Sequence, residues 1–584
     1  MLPPEIPDFS QESVTKVKAE LAETGLPTAP AVFLEGPLTV FNAIRPRILS
    51  EVVDRTRQEL TAAPIEMLLT SALYAERQRL KRTRANVFTQ KRKKDDKKLW
   101  SGIQSGLLQS AAIVDRKPML DQVLAHYADE IGGRFDPAVY RFATHALPVG
   151  FDWLLNAASL NKFNPWKMTE RVESRLNILG EVDLLRKLSN KGTILLVPTH
   201  QSNIDSIMIG YIIYLMGLPP FAYGAGLNLF SNPALSFFMR RLGAYTVDRQ
   251  KSSQIYKHTL KNYSTRILRE GIHSIFFPGG GRSRSGAIES KLKLGLLGTA
   301  LEAQVNNLQE GRNKPNVYIV PMTTSFHFVL EASSLIEDYL LESGKDRFLV
   351  MQDESSEFNK IVSFFWKLFK AQSGVTVRVG KPLDIFGNFV DEQGESVGPN
   401  GTRIDPKLWL TTRGQLGFEP RRDMEYTREL GSRLVERFHR ENTVLTSHLV
   451  AFSFFETLRK HYPDLDLYRF LRISLAQRSL PYEAFLAEAK HQHEKVMSAS
   501  DRGQMYVSED LLTTDTELWV EDGIRNLGLM HGASVLKVKD GVIFTEDMSL
   551  LYYYRNRLAG YGLSHLSDSR PGMPGQHDEK GFLE

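Results

Sequence analysis

Between residues 166 and 390, short apolar runs alternate with amphipathic stretches, and this alternation restricts the fold more than any other feature of the chain. Thr193-Ile-Leu-Leu-Val197, Ser274-Ile-Phe-Phe277, Asn316-Val-Tyr-Ile-Val320 and Val375-Thr-Val-Arg-Val379 have the length and composition of buried strands. Between them, Ser252 to Glu270 places apolar residues at 255, 260, 263 and 267, and Gly271 follows as a helix stop. Leu294 to Leu308 has the same helical spacing. Strands separated by helices predict an α/β layer structure.

The flanks read differently. At 584 residues the chain is too long for a single core. Residues 1–165 are expected to form a helical N-terminal domain, with helical spacing in Val52 to Leu73 and Trp100 to Val114. The α/β domain occupies 166–390. Gly387 to Pro406 is rich in Gly, Asn, Asp and Pro, which predicts a linker over 391–406. A mainly helical C-terminal domain spans 407–564, with a β-like piece over Ser534 to Phe544, a turn at Asp540-Gly541 and an aromatic helix around Leu551 to Leu558. Residues 565–584 read as a mobile polar tail.

An apolar fraction of 42% excludes a mostly disordered chain, and the absence of cysteine excludes disulfides, thiolate metal sites and a cysteinyl thioester intermediate. The net charge of +5 is uneven: Glu76 to Lys98 holds 11 basic and 3 acidic residues. Such a block suits phosphates, anionic lipid headgroups or nucleic acid, or else forms a solvated helix face. Met1 to Gln11 is acidic and carries proline, unlike a signal peptide. The 34 uncharged residues Ser206 to Met239 are broken by Pro219-Pro220, which fits a buried helix and loop better than a membrane span, with a helix dipping into one leaflet as the alternative.

The run ending at Val197 leads into Pro198-Thr-His-Gln-Ser-Asn-Ile-Asp205. This puts His200 and Asp205 just beyond a strand, where α/β sheets bind ligands. A histidine can act as a general base, and a carboxylate one turn away can fix its tautomer. The spacing alone is weak, because His461 and Asp466 repeat it after a basic helix end, and that second pair reads as chance. The second piece is Phe276-Phe-Pro-Gly-Gly-Gly-Arg-Ser-Arg-Ser-Gly286. Its glycines allow close backbone approach to a ligand, Arg282 and Arg284 offer forked donors for phosphate, Ser283 and Ser285 add hydroxyls, and Lys291 and Lys293 follow. The alternative is a basic surface turn. Gly281 to Gly286 has P-loop glycine spacing, but Ala287 stands in place of the lysine; Gly394-Glu-Ser-Val-Gly398 has the spacing of a hydrolase elbow but lies in the linker. Leu242 to Arg249 and Ile319 to Ser325 complete the set, the latter read as a strand that stops at Pro321.

In this order the four pieces resemble the glycerolipid acyltransferases, in particular the branch acting on glycerol 3-phosphate and dihydroxyacetone phosphate. The resemblance rests on His200 to Asp205, Gly243 to Arg249, the Gly280 to Gly286 loop and Pro321, continues weakly into Val377 to Pro382, and includes a late Tyr553-Tyr-Arg-Asn556 signature. It implies a mixed sheet with flanking helices. It also implies transfer of a fatty acyl group from acyl-CoA or acyl-carrier protein to the sn-1 hydroxyl of glycerol 3-phosphate, giving lysophosphatidate. On that reading His200 is the base and Asp205 its partner. Arg249, Gly280, Gly281, Arg282, Ser283, Arg284 and Lys293 hold the phosphate, and no metal or cofactor is needed.

Gly279 departs from the family pattern, which has a glutamate there; Asp248 and Met322-Thr-Thr are further departures. They leave dihydroxyacetone phosphate or lysophosphatidate as alternative acceptors, and a non-catalytic lipid- or nucleic-acid-binding paralogue as a further alternative. No nucleic acid is expected for the enzyme. A long acyl chain implies peripheral or monotopic contact with the cytoplasmic face of an anionic membrane, with residues 206–239 and Phe364 to Phe369 as candidates for an apolar groove or simply core.

Overall fold

The computed structural model describes residues 35–82, 90–109, 115–144, 176–226, 233–343, 374–398, 400–528 and 534–564. The tail over 565–584, the Met1 to Gln11 segment and the Phe364 to Phe369 run lie outside the described residues.

The centre of the protein is a seven-stranded sheet. Its strands are β1 (Leu176–Gly180), β2 (Thr193–Pro198), β3 (Ala222–Gly226), β4 (Ala244–Val247), β5 (Ser274–Ile275), β6 (Val317–Phe326) and β7 (Val375–Val379), in the spatial order β1-β7-β6-β2-β5-β3-β4. Every neighbouring pair is parallel except β6 and β7, so the sheet is mixed, with helices packed around it. All six residues of β2 are buried, as an interior parallel strand covered on both faces requires.

The helices predicted from spacing form where expected. Gln254–Arg269 is N-capped by Ser253, whose hydroxyl accepts from Tyr256 N at 3.3 Å, and ends before Gly271 at φ +77°. Leu294–Gln309 is the second. The strand read as ending at Pro321 instead runs on to Phe326. Pro321 is tolerated because its missing N–H falls between the Ile319–Leu383 bridge and the start of the β7 pairing at Met322–Val379. Strands β1, β3 and β4 were not foreseen.

The segment read as a linker has regular structure. Phe389–Val390, Ser396–Val397 and Arg403–Ile404 pair antiparallel, and Asp391 Oδ1 accepts from Gln393 N and Glu395 N at 2.9 Å each to make the turn. Tyr318 Oη donates to the Gly394 carbonyl at 3.2 Å, pinning the turn to the core. The Asp540-Gly541 turn is found as predicted, with both residues at positive φ between Lys537–Lys539 and Val542–Phe544.

Of three hydrophobic clusters among the described residues, one packs Leu195, Val197 and Ile319 of the sheet against Leu297, Leu301, Leu434 and Phe438, and the other two tie the flanking helices to the centre. One joins sheet residues such as Leu196 and Val320 to Leu449, Phe452, Trp519 and Leu551, so the C-terminal helices share a core with the sheet. The other packs Ile48, Val52, Leu124 and Tyr127 of the N-terminal helices against Tyr245, Tyr256 and Tyr263. The first part of the uncharged 206–239 stretch supplies core: helix Asp205–Leu215 buries Met208, Ile209, Ile212 and Ile213 in the cluster shared with the C-terminal helices, and residues 227–232 lie outside the described residues. No helix among the described residues is long and apolar enough to cross a membrane.

His273, just before β5, accepts from Ile194 N at 3.0 Å through Nδ1, adding a side-chain tie between β5 and β2. Burial pushes its pKa down to about 4, so it is held neutral. The unfolded chain takes up that proton first, so the stability His273 contributes is present above pH 6.5 and lost as pH falls toward 4. On going from pH 7 to pH 5 the wild type should lose about 2 kcal/mol more than His273→Gln, read by denaturant unfolding of both proteins at each pH.

Candidate active site

Strands β2, β5 and β6 lie side by side and run parallel, so the loops after their carboxyl ends emerge at one edge of the sheet. Thr199 N donates to the Met322 carbonyl at 2.9 Å; His200 then leaves the ladder. Its Nδ1 lies 2.9 Å from Asp205 Oδ2, and the same oxygen accepts from Gln201 N at 2.7 Å and Ser202 N at 2.9 Å. Asp205 opens the helix Asp205–Leu215, where a negative charge is favoured, and is fully buried. A carboxylate accepts, so Nδ1 carries the proton and Nε2 presents its lone pair. The imidazole stacks on Phe277, with ring centroids 4.3 Å apart.

The glycine turn closes over this loop. Ser283 N donates to the His200 carbonyl at 2.7 Å, and Glu289 Oε1 accepts from His200 N at 2.6 Å. Gly280 has φ +71° and its α-carbon packs under Lys293, where an added Cβ would lie 2.9 Å from Cγ. Arg282 Nη1 lies 3.4 Å from Glu331 Oε1, and Glu331 also accepts from Ser202 Oγ at 2.9 Å and Asn203 N at 3.2 Å. Arg249, beyond β4, stands close to Arg282. Desolvation, and next the Arg282 charge, hold its pKa below the usual value. Two neighbouring guanidinium groups attract an anion. Arg284 and Lys293 are exposed on the same turn.

The structure thus ties the His200–Asp205 loop to the Gly280 to Ser283 turn, and Arg249, beside Arg282, is exposed like Arg284 and Lys293. Residues 181–325 match the family model described as "Acyltransferase". Over these residues the central domain is similar to the acyltransferase family. The chain is 32% identical over 205 residues to a glycerol-3-phosphate acyltransferase of Haemophilus ducreyi, covering 35% of this chain and 23% of that one. It is 24% identical over 359 residues to a protein of the same name from Pseudomonas syringae pv. syringae, covering 61% of this chain and 37% of that one. The match therefore spans roughly a quarter to a third of these relatives' length. A crystal structure of the 1-acyl-sn-glycerophosphate acyltransferase from Thermotoga maritima aligns with 16% identity and a TM-score of 0.22, over 51% of this chain and 92% of that one.

Several groups of the candidate site were not foreseen. Glu331 and Glu289 carry no distinguishing spacing. Gln201, whose Nε2 donates to the Thr324 carbonyl at 3.0 Å, looks in sequence like any loop residue. The Tyr553-Tyr-Arg-Asn556 signature acquires a physical role. Asn556 Nδ2 donates to the Ser285 carbonyl at 2.9 Å, and the Gly286 α-carbon packs on the Tyr553 carbonyl. Arg555 grips Glu456 through Nε at 3.1 Å and Nη2 at 2.6 Å, fixing this element to helix Thr446–Lys460. The departure at Asp248 is also accounted for, because its buried carboxylate faces Arg79, 3.8 Å away, in the N-terminal helices.

The rival features carry structure. Asp466 N-caps Leu467–Phe470, so its match with His461 is coincidence. Asp96, His126 and Glu130 hold donor atoms within 4.8 Å of one another, but Arg79 pairs with Asp96 at 2.5 Å and Lys251 with Glu130 at 2.5 Å, so cations already balance that cluster. Part of the basic block is therefore an internal ion network.

Gly286 sits at φ +82°, and an added Cβ would lie 2.2 Å from the Tyr553 carbonyl oxygen. Gly401 has φ +73° with open space around it. Gly401→Ala should cost about 1 kcal/mol of backbone strain, and Gly286→Ala at least about 2 kcal/mol more, compared by thermal unfolding of the two proteins.

Proposed function

We propose that the protein is a glycerol-3-phosphate 1-O-acyltransferase that takes its acyl group from acyl-CoA or acyl-carrier protein and releases lysophosphatidate. The observation that carries this reading is the 2.7 Å bond from Ser283 N to the His200 carbonyl, which joins the histidine loop to the arginine-bearing turn. A small phosphorylated alcohol can then touch both at once. The names of the curated relatives support the same acceptor.

In the proposed step Arg249 and Arg282, with Arg284, Lys293 and the Gly280 to Ser283 backbone, hold the phosphate. The sn-1 hydroxyl attacks the thioester carbonyl while His200 Nε2 takes its proton. The C–O ester bond forms, the C–S bond breaks, and the proton passes from the imidazolium to the departing thiolate. Asp205 keeps the ring in the right tautomer and stabilises its charged form. Direct transfer needs no enzyme thiol, in keeping with a chain that has no cysteine. The step uses no metal or cofactor. The product's acyl chain implies peripheral contact with the cytoplasmic face of an anionic membrane, to which exposed members of the Glu76 to Lys98 block add attraction.

His200→Ala should lower turnover by roughly 10²–10⁴-fold while leaving glycerol 3-phosphate binding within a few-fold, measured by thiol release from acyl-CoA and by calorimetry. Retained turnover would remove His200 as the base. Arg282→Ala should raise the KM for glycerol 3-phosphate about ten- to a hundred-fold with a smaller effect on kcat. The same assay run with dihydroxyacetone phosphate and lysophosphatidate ranks the acceptors.

A further inference from the structure

Both peptide groups of His200 are tied to the glycine turn. Its carbonyl receives Ser283 N, and its N–H is given to Glu289 Oε1. Glu289 is half-buried as a residue, but its carboxylate is enclosed, and Oε2 has no hydrogen-bond partner. Burial raises its pKa; the His200 N–H and the Arg557 charge oppose that rise. Arg557 is 2% exposed, anchored through Nε to Asn442 Oδ1 at 2.7 Å and through Nη2 to the Thr324 carbonyl at 2.7 Å, with Nη1 unpartnered. A buried carboxylate left in that state is costly unless something requires it.

The geometry around Gly279 says what it replaces. A Cβ built on Gly279 would lie 3.0 Å from Glu289 Cγ and 3.6 Å from Glu289 Oε1. That second distance is about the span from Cβ to Oε in a glutamate side chain, from ordinary bond lengths and angles. A glutamate at position 279 would therefore reach the place that the Glu289 carboxylate now fills, and Gly279 has no side chain to compete for it.

We propose that Glu289 is a positioning residue for His200: its carboxylate, delivered from ten residues downstream, takes the place that a side chain at Gly279 would occupy and fixes the histidine backbone so that the ring meets Asp205. The inference rests on the reading of His200 as the base. It makes the chain at Gly279 a relocated, rather than a weakened, version of the family site. Misplacement of a catalytic group by about 1 Å can cost 10²-fold in rate, so the effect falls on turnover.

The test compares Glu289→Ala, Glu289→Gln and the double variant Gly279→Glu/Glu289→Ala in the full chain. Glu289→Ala should lower kcat about 30- to 100-fold with the KM for glycerol 3-phosphate within threefold. Glu289→Gln keeps an acceptor oxygen and should recover to within tenfold of wild type. The double variant should recover at least tenfold over Glu289→Ala. In parallel, the rate at which diethyl pyrocarbonate modifies His200, mapped by mass spectrometry, should rise in Glu289→Ala and fall back in the double variant. That second readout does not need acyl transfer, so an inactive wild type would sink the proposed function and still leave the positioning role decided. Turnover and His200 modification in Glu289→Ala both within twofold of wild type would overturn the proposal. Should Glu289→Ala not fold, a folded double variant with recovered turnover and wild-type His200 modification supports it, and a double variant that also fails to fold or to recover overturns it.

Discussion

Ser283 N–H donates to the His200 carbonyl, and the arrangement of the candidate site depends on that contact between two loops 83 residues apart in sequence. Neither loop holds itself. The histidine loop is shaped by Asp205, which takes the ring and two backbone N–H groups on one oxygen. The arginine turn needs glycines at positive φ and a neighbour to lean on. Parallel pairing of β2 with β5 brings the two to the same edge of the sheet. The backbone bond then sets their spacing to within hydrogen-bond tolerance.

The parts of this arrangement that are local in sequence were legible in it. The apolar run Thr193 to Val197, the stop at Gly271 and the Asp540-Gly541 turn each carry their own signal, because burial, positive φ and hairpin twist constrain single positions. The His200 and Arg282 motifs were read from their place after apolar strands and from the family resemblance, since the His200 to Asp205 spacing alone is weak. Where the determinant is a partner far away, the reading fell short. Pro321 looks like a strand end until β7 and Leu383 are placed beside it. The segment 391–406 has the composition of a linker and nonetheless carries paired strands, shaped by an Asp391 turn and a Tyr318 hydroxyl that its composition does not reveal. Glu331, Glu289 and Arg557 are invisible for the same reason: their meaning is the group each faces.

Charge follows a similar division. Arg79, counted in sequence as part of the basic block, pairs inside the protein with Glu76 and Asp96, and Lys251 pairs there with Glu130. That network links the N-terminal helices to the turn after β4, which also carries Arg249. The helical region is therefore bound to the cleft by both apolar packing and buried ion pairs.

The Asn556–Ser285 contact closes a loop of 271 residues. Because the arginine turn rests on residues 271 positions further along the chain, a growing polypeptide can fold its sheet long before that turn has anything beneath it. Assembly of the cleft is thus a late, non-local event, of the kind that slows folding most. A partly synthesised chain carries both motifs and the sheet that aims them, yet lacks the surface on which the second one rests.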